Sequence, residues 1–109
     1  MTITYKVLGQ ASPSSASNVA LYTVPAITST VTSTLVICNR GTASSTFSTA
    51  VRPAGATLAA QHYLNYNTSI PATDTITLTI GMTLATTDVV TVTSSSGNVS
   101  FSLFGSEIT

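Results

Sequence analysis

Charge is the scarcest property of this 109-residue chain: three basic and three acidic side chains, 6% of the residues, sum to a formal net charge of zero. An ordinary soluble domain carries about a quarter of its residues charged. Lys6, Arg40 and Arg52 are spread along the sequence, so no basic patch is available to neutralise phosphates and nucleic-acid binding is not expected. Cysteine occurs once, at Cys38, which rules out an intrachain disulfide and leaves a buried free thiol as the expectation. No apolar run approaches the length of a membrane helix. The opening Met1–Lys6 (MTITYK) alternates instead of forming the apolar centre of a signal peptide, so no membrane partner is expected and the chain should stay in the compartment where it is made.

What the sequence does have is threonine, serine and aliphatics. Hydrophobic residues make up 43% of the chain, mean hydropathy is +0.43, and Ser plus Thr supply roughly a third of all positions. That many apolar residues in one chain of this length support a single core. Threonine favours strands because its branched Cβ packs well on a pleated surface and loses rotamer freedom in a helix. The reading is therefore one all-β domain over residues 1–109, its polar faces built from hydroxyls. A neutral surface of this kind tends to associate through sheet edges unless they are covered, and is better suited to an assembly than to solitary life in solution.

Alternation is clearest from Thr75 to Glu107. Ile76, Leu78 and Ile80 alternate with threonines, Val90 and Val92 with Thr91 and Thr93, and Val99, Phe101 and Leu103 with Ser100 and Ser102. Turn sequences separate the three runs, so the stretch reads as a meander of three antiparallel strands. Upstream, Ile3, Tyr5 and Val7 alternate in a first short strand, followed by the small, polar, flexible Ala11–Asn18 connection. Residues 1–18 are thus a strand plus linker, the strand either belonging to the domain or reaching a neighbour as an arm. Val19–Val24, Thr28–Arg40, Thr46–Arg52 and Gln61–Asn67 complete the strands; residues 54–60 read as a loop or helical turn, and 69–74 as a loop. In Thr28–Arg40, threonines stand opposite Val31 and Leu35 before the continuous run Leu35–Cys38, which predicts a strand covered on both faces by its own second sheet or by a neighbour. About eight short strands with turns near every ten residues predict an antiparallel β-sandwich in jelly-roll or immunoglobulin-like order.

Chemistry is sparse. His62 is the only histidine, no nucleophile-elbow sequence faces it, and one His, one Cys and three scattered carboxylates give no metal-ligand spacing, so neither a catalytic residue nor a cofactor or metal is expected. Asp74 and Asp88 precede strands, where a carboxylate commonly accepts backbone N–H groups. Arg40 and Arg52 bracket a hairpin and are candidates for contacts between subunits with Asp74 or Glu107. Tyr63 and Tyr66, with His62, are candidates for a shallow aromatic shelf that binds sugar.

Taken together, Tyr5–Gln10 (YKVLGQ), Cys38–Gly41 (CNRG), Arg52–Gly55 (RPAG), Gln61–Tyr63 (QHY), Leu84–Val92 (LATTDVVTV) and Phe101–Ile108 (FSLFGSEI) resemble small virion structural proteins of tailed bacteriophages, particularly those infecting marine cyanobacteria. The resemblance implies a non-enzymatic β-sandwich on the particle and does not fix its position there; the leading expectation is a head decoration, or cement, protein that contacts the major capsid protein or another virion protein and forms homo-oligomers, a trimer being favoured. A tail, neck or baseplate component is the alternative within that class, and a carbohydrate-binding adsorption module the alternative outside it. The residues expected at the interface are Ile3, Tyr5, Val7, Leu35, Ile37, Arg40 and Arg52.

Overall fold

The computed structural model describes residues 1–109. Nine strands form: β1 (Ile3–Ala11), β2 (Val19–Thr23), β3 (Ser29–Asn39), β4 (Ser45–Arg52), β5 (Tyr63–Ile70), β6 (Thr75–Leu78), β7 (Thr83–Leu84), β8 (Val89–Ser94) and β9 (Val99–Ile108). Between β4 and β5 lie two short 3-10 turns, Pro53–Gly55 and Ala60–His62; Gly55 and the brevity of the alanine run leave no room for an α-helix there. β5 runs on through Ser69 and Ile70, which had read as loop, because Ile70 reaches into the core.

Every ladder is antiparallel. Sheet I has the order β1-β9-β3-β6, with β7 also pairing β3, and sheet II the order β2-β8-β4-β5. Counting β6 and β7 as one interrupted strand, the first strand pairs with the last, the second with the next to last, and so on to β4 with β5. The chain is therefore one long hairpin, rolled until β9 lies beside β3 and β8 beside β4. That is the jelly-roll order, and the immunoglobulin-like alternative is set aside.

The same order corrects the reading of Thr75–Glu107 as a meander. β6 lies in sheet I, β8 in sheet II and β9 in sheet I again. Alternation specifies which side chains of a strand are buried, not which strand lies beside it, and a short connection serves equally for crossing between sheets.

Side chains from both inner faces fill the space between the sheets. Leu35, Ile37, Phe101 and Leu103 of sheet I meet Phe47, Val90, Val92 and Ile70 of sheet II, with the Phe47 and Phe101 rings edge to face at 6.2 Å. Edge-to-face aromatic pairs are worth about 0.5–1.5 kcal/mol beyond the area they bury.

Two bulges decide which residues face this core. Ser33 is an extra residue of β3 between the Thr32↔Gly105 and Thr34↔Phe104 pairs, and Leu8 is an extra residue of β1 between Val7↔Phe104 and Gly9↔Leu103. Each bulge reverses the parity of its strand. Before Ser33 it is Thr30 and Thr32 that are buried and Val31 that points out; after it Leu35, Ile37 and Asn39 are buried. The buried threonines remain satisfied: Thr32 Oγ1 donates to Ile80 O at 2.8 Å and accepts from Met82 N at 2.9 Å, bridging the break between β6 and β7. Val36 and Cys38 point outward and are only partly exposed, so the Leu35–Cys38 run is not sandwiched on both faces. Its inner residues meet the second sheet of this chain.

The first ten residues belong to the domain. β1 pairs with β9 from Ile3↔Ile108 to Ala11↔Phe101, and reciprocal Thr2–Thr109 backbone hydrogen bonds of 2.9 Å extend the ladder. All four sheet edges are broken: β1, β2 and β5 carry register shifts, and β6 and β7 are four and two residues long. Interrupted edges discourage strand addition by another chain, which leaves the faces as the surfaces available for association.

Candidate functional site

The two outer faces differ. Over sheet II, Arg52 Nε donates to Thr91 Oγ1 at 3.0 Å while its Nη1 holds the carbonyls of Gly55 and Ala56 at 3.3 and 3.0 Å. Asp88 Oδ1 and Oδ2 accept the N–H groups of Ala54 and Ala85, both at 2.9 Å. These bonds fold the β4–β5 connection over its own sheet, and outward-facing Ala50, Thr91 and Val89 are consequently buried. Sheet I has no such cover.

On the bare face the register aligns Ile3 with Ile108, Tyr5 with Ser106, Val31 with Ser106 from the other side, and Val7 with Phe104. Tyr5 is 83% exposed, and Ile3, Val7 and Val31 are each more than 40% exposed. At the same end Ile27 is 89% exposed and holds φ of 55°, a left-handed conformation that is unfavourable for a β-branched residue. The neighbouring turn fixes its loop: Thr28 N donates to Thr86 Oγ1 at 3.2 Å, and Thr86 Oγ1 donates to Thr28 O at 2.7 Å.

Of the residues expected at an interface, Ile3, Tyr5 and Val7 are brought together on this face. Leu35 and Ile37 are not, for they are 1% and 0% exposed within the chain's own core, and the reason is the parity change at Ser33. Arg40 sits at the far end of sheet I, its Nε 2.8 Å from Ser100 Oγ and its Nη2 2.8 Å from Ser12 Oγ. Arg52 is engaged on sheet II as described. Val31 and Phe104 complete the patch but were missed, Val31 because alternation without the bulge groups it with Leu35 and does not set it apart. Ile27 gave no signal at all, since a backbone angle is not legible in one residue type.

A second apolar feature lies on β5. Leu58, Ala59, Ala60, Tyr63 and Tyr66 line an open cleft of about 480 Å³, with the tyrosine rings edge to face at 4.9 Å. His62 does not extend the shelf: its Nδ1 accepts the Ala59 N–H at 3.0 Å. Asp74 Oδ1 accepts the Thr75 N–H at 2.8 Å; with Asp88, both aspartates thus cap turns.

The one ion pair lies at the mouth between the sheets. Lys6 Nζ is 3.2 Å from Glu107 Oε1, Tyr22 OH donates to Glu107 Oε2 at 2.5 Å, and Thr30, 2.8 Å from the phenol oxygen, donates to it in turn. The Tyr22 hydrogen bond, then the Lys6 ammonium, hold the Glu107 carboxyl below its ordinary 4.5. Burial, then the bond to Glu107, push the Tyr22 phenol from 10 up to about 12.

A depressed carboxylate stabilises the fold above its unfolded pKa, and that contribution is lost as pH falls through the folded value. A raised phenol stabilises below about 10 and loses its contribution as pH rises toward about 12. We therefore expect Glu107→Gln to lower stability at neutral pH by about 2 kcal/mol, as for a hydrogen bond to a charged group. The difference from wild type should close in acid. Chemical denaturation from pH 2 to 8 checks this, and a deficit independent of pH would show that charge is not what Glu107 contributes.

Every charged side chain of the protein is thus hydrogen-bonded within the chain. The rest of the surface is uncharged: hydroxyls, one bare sheet face and one apolar cleft. The class defined by these features is a jelly-roll β-sandwich with self-contained charges. A chain of the structure of infectious bursal disease virus, Gx strain, is similar over 97% of this chain, with a TM-score of 0.50 and 12% identity. This chain spans 30% of that chain's length, and at such identity the likeness is one of fold. No family model and no curated protein matches the chain.

Proposed function

We propose that the protein is a non-enzymatic structural component of a virion, most specifically a head decoration protein that contacts the major capsid protein or another virion protein. The observation that carries this reading is the distribution of polarity: each of the six charged side chains is engaged by a hydrogen bond within the chain, and the surface free of charge consists of hydroxyls and two separate apolar surfaces. Such a surface stabilises an assembly by the area it removes from water and does not depend on ion pairs that salt screens. Two surfaces are what decoration requires, one toward the particle and one toward like subunits. The jelly-roll order supports the reading as an analogy of fold, since capsid domains are among those built this way.

A tail or baseplate position uses the same surfaces with a different symmetry. The sugar-binding alternative is less well supported, because the cleft beside Tyr63 and Tyr66 is lined by apolar side chains and His62 is turned to the backbone; a sugar site needs several converging polar groups. Immunogold labelling of purified particles with antibody against the folded chain tests the proposal. Gold over heads is the expected result. Gold confined to tails replaces decoration with the tail reading, and unlabelled particles that also lack the chain on protein gels overturn the virion role.

A further inference from the structure

We infer that the bare outer face of sheet I is a self-association surface, and that its occupant is the same face of a second copy related by a two-fold axis. The inference rests on the structural role proposed above and names its partner. Four features support it.

The face is extensive enough. Four strands at about 4.8 Å spacing and ten residues at about 3.3 Å give roughly 19 by 33 Å, on the order of 600 Å² in projection. A standard interface removes about 800 Å² of accessible surface per partner, and accessible area exceeds projected area on a pleated sheet.

The charge pattern suits a copy of itself. In an isologous contact the same patch meets itself, residue i against residue j and j against i, so a face of one charge sign would repel itself, at a cost of several kcal/mol for each juxtaposed like pair. In the half of this face bearing Ile3, Tyr5, Val7, Val31 and Phe104 no charged residue has outward parity; Lys6, which borders the depression between Tyr5 and Val31, has inward parity and is paired with Glu107. Arg40 stands at the far end of the face against Ser100.

The composition is that of an interface centre. An exposed tyrosine flanked by aliphatics, with serines and threonines around it, matches the aromatic anchor and polar rim of protein contacts. Finally, the broken edges of both sheets direct association toward faces, and the β4–β5 connection already covers the β4 and β8 part of the other face. Two twisted sheets stack face to face about 10 Å apart, and two copies of one face share the same twist.

Analytical ultracentrifugation of the purified chain from micromolar to millimolar concentration tests this, with Tyr5→Asp and Val31→Asp as interface variants and Leu64→Asp, on β5, as control. Tyr5 is 83% exposed, so its replacement leaves the fold intact, which circular dichroism verifies. The expected result is a reversible species of twice the 11.1 kDa chain mass, weakened at least ~100-fold by either interface variant and unchanged by the control. Labelling of the Cys38 thiol, which has outward parity on the same face, should slow over the concentration range where the pair forms. A chain that is monomeric throughout, a three-copy species, or a pair indifferent to Tyr5→Asp and Val31→Asp overturns the inference. Particle labelling is read independently, so loss of the pair leaves the virion role standing, and an unlabelled particle leaves the pair standing.

Discussion

Deletion of Met1–Ser17 is expected to abolish the cooperative fold. An arm that only reached toward a neighbour would be dispensable for folding; β1 is not placed that way. Its residues Ile3–Ala11 pair with β9 along nearly their whole length, and Leu8 enters the core. Where β1 approaches β2, a Cβ on Gly9 would lie 2.1 Å from Leu21 O, so the edge of sheet I closes directly on the edge of sheet II. Without this strand the inner side chains of Leu21, Tyr22 and Leu103 lose one wall and become wet, and Glu107 loses Lys6. Burying a large apolar side chain fully is worth about 1.5–3 kcal/mol. Exposing several of them costs on the order of 5 kcal/mol, the lower end of a small domain's whole margin, even though the deleted residues no longer need to be ordered. The truncated chain should therefore show no cooperative thermal transition by circular dichroism where the full chain shows one. A truncated protein that melts within a few degrees of the full chain would show β1 to be a detachable arm after all.

How much of this was legible beforehand differs from strand to strand. All-β architecture, the positions of most strands and the sandwich followed from alternation and from the abundance of threonine, because side-chain parity and β-branching act locally. The pairing did not follow, since nothing local distinguishes β8 crossing to sheet II from β8 folding back on β6. Ser33 and Leu8 were equally silent: an extra residue in a ladder depends on the partner strand, here β9 for both. The consequence is specific. Ile3, Tyr5 and Val7 precede the Leu8 bulge and keep the common face that alternation gives them, which is the outer one, whereas Leu35 and Ile37 follow the Ser33 bulge and lie in the core. Asp74 and Asp88 were legible as turn residues because that chemistry spans only a few positions. Arg40 and Arg52 were not, because their acceptors, Ser100 and Thr91, are distant in sequence.

Gly105→Ala is the substitution expected to cost most for the smallest change in chemistry. Gly105 pairs with Lys6 on one side and Thr32 on the other, beside both bulges. A Cβ at this position would stand 2.4 Å from Val31 O, 2.8 Å from Thr32 Cα and 3.0 Å from Leu8 Cδ1. Two of those three atoms are backbone and have no rotamer to yield, so β3 itself must move away from β9. Overpacking of a close-packed interior costs about 1–3 kcal/mol, and contact with backbone places this case at the upper end. About 3 kcal/mol corresponds to a fall in melting temperature of roughly 15 °C for a domain of this size. Ser106→Ala, one residue on and of outward parity, should change stability by no more than about 0.5 kcal/mol. The same displacement would shift Val31 relative to Tyr5, so any Gly105→Ala protein that remains folded should also pair more weakly through the bare face. Denaturation of the two variants side by side checks the first effect and sedimentation the second. A loss below about 1 kcal/mol at Gly105 would mean that the paired bulges relax to admit a methyl group, and that the close approach of β3 to β9 is not what holds the face in register.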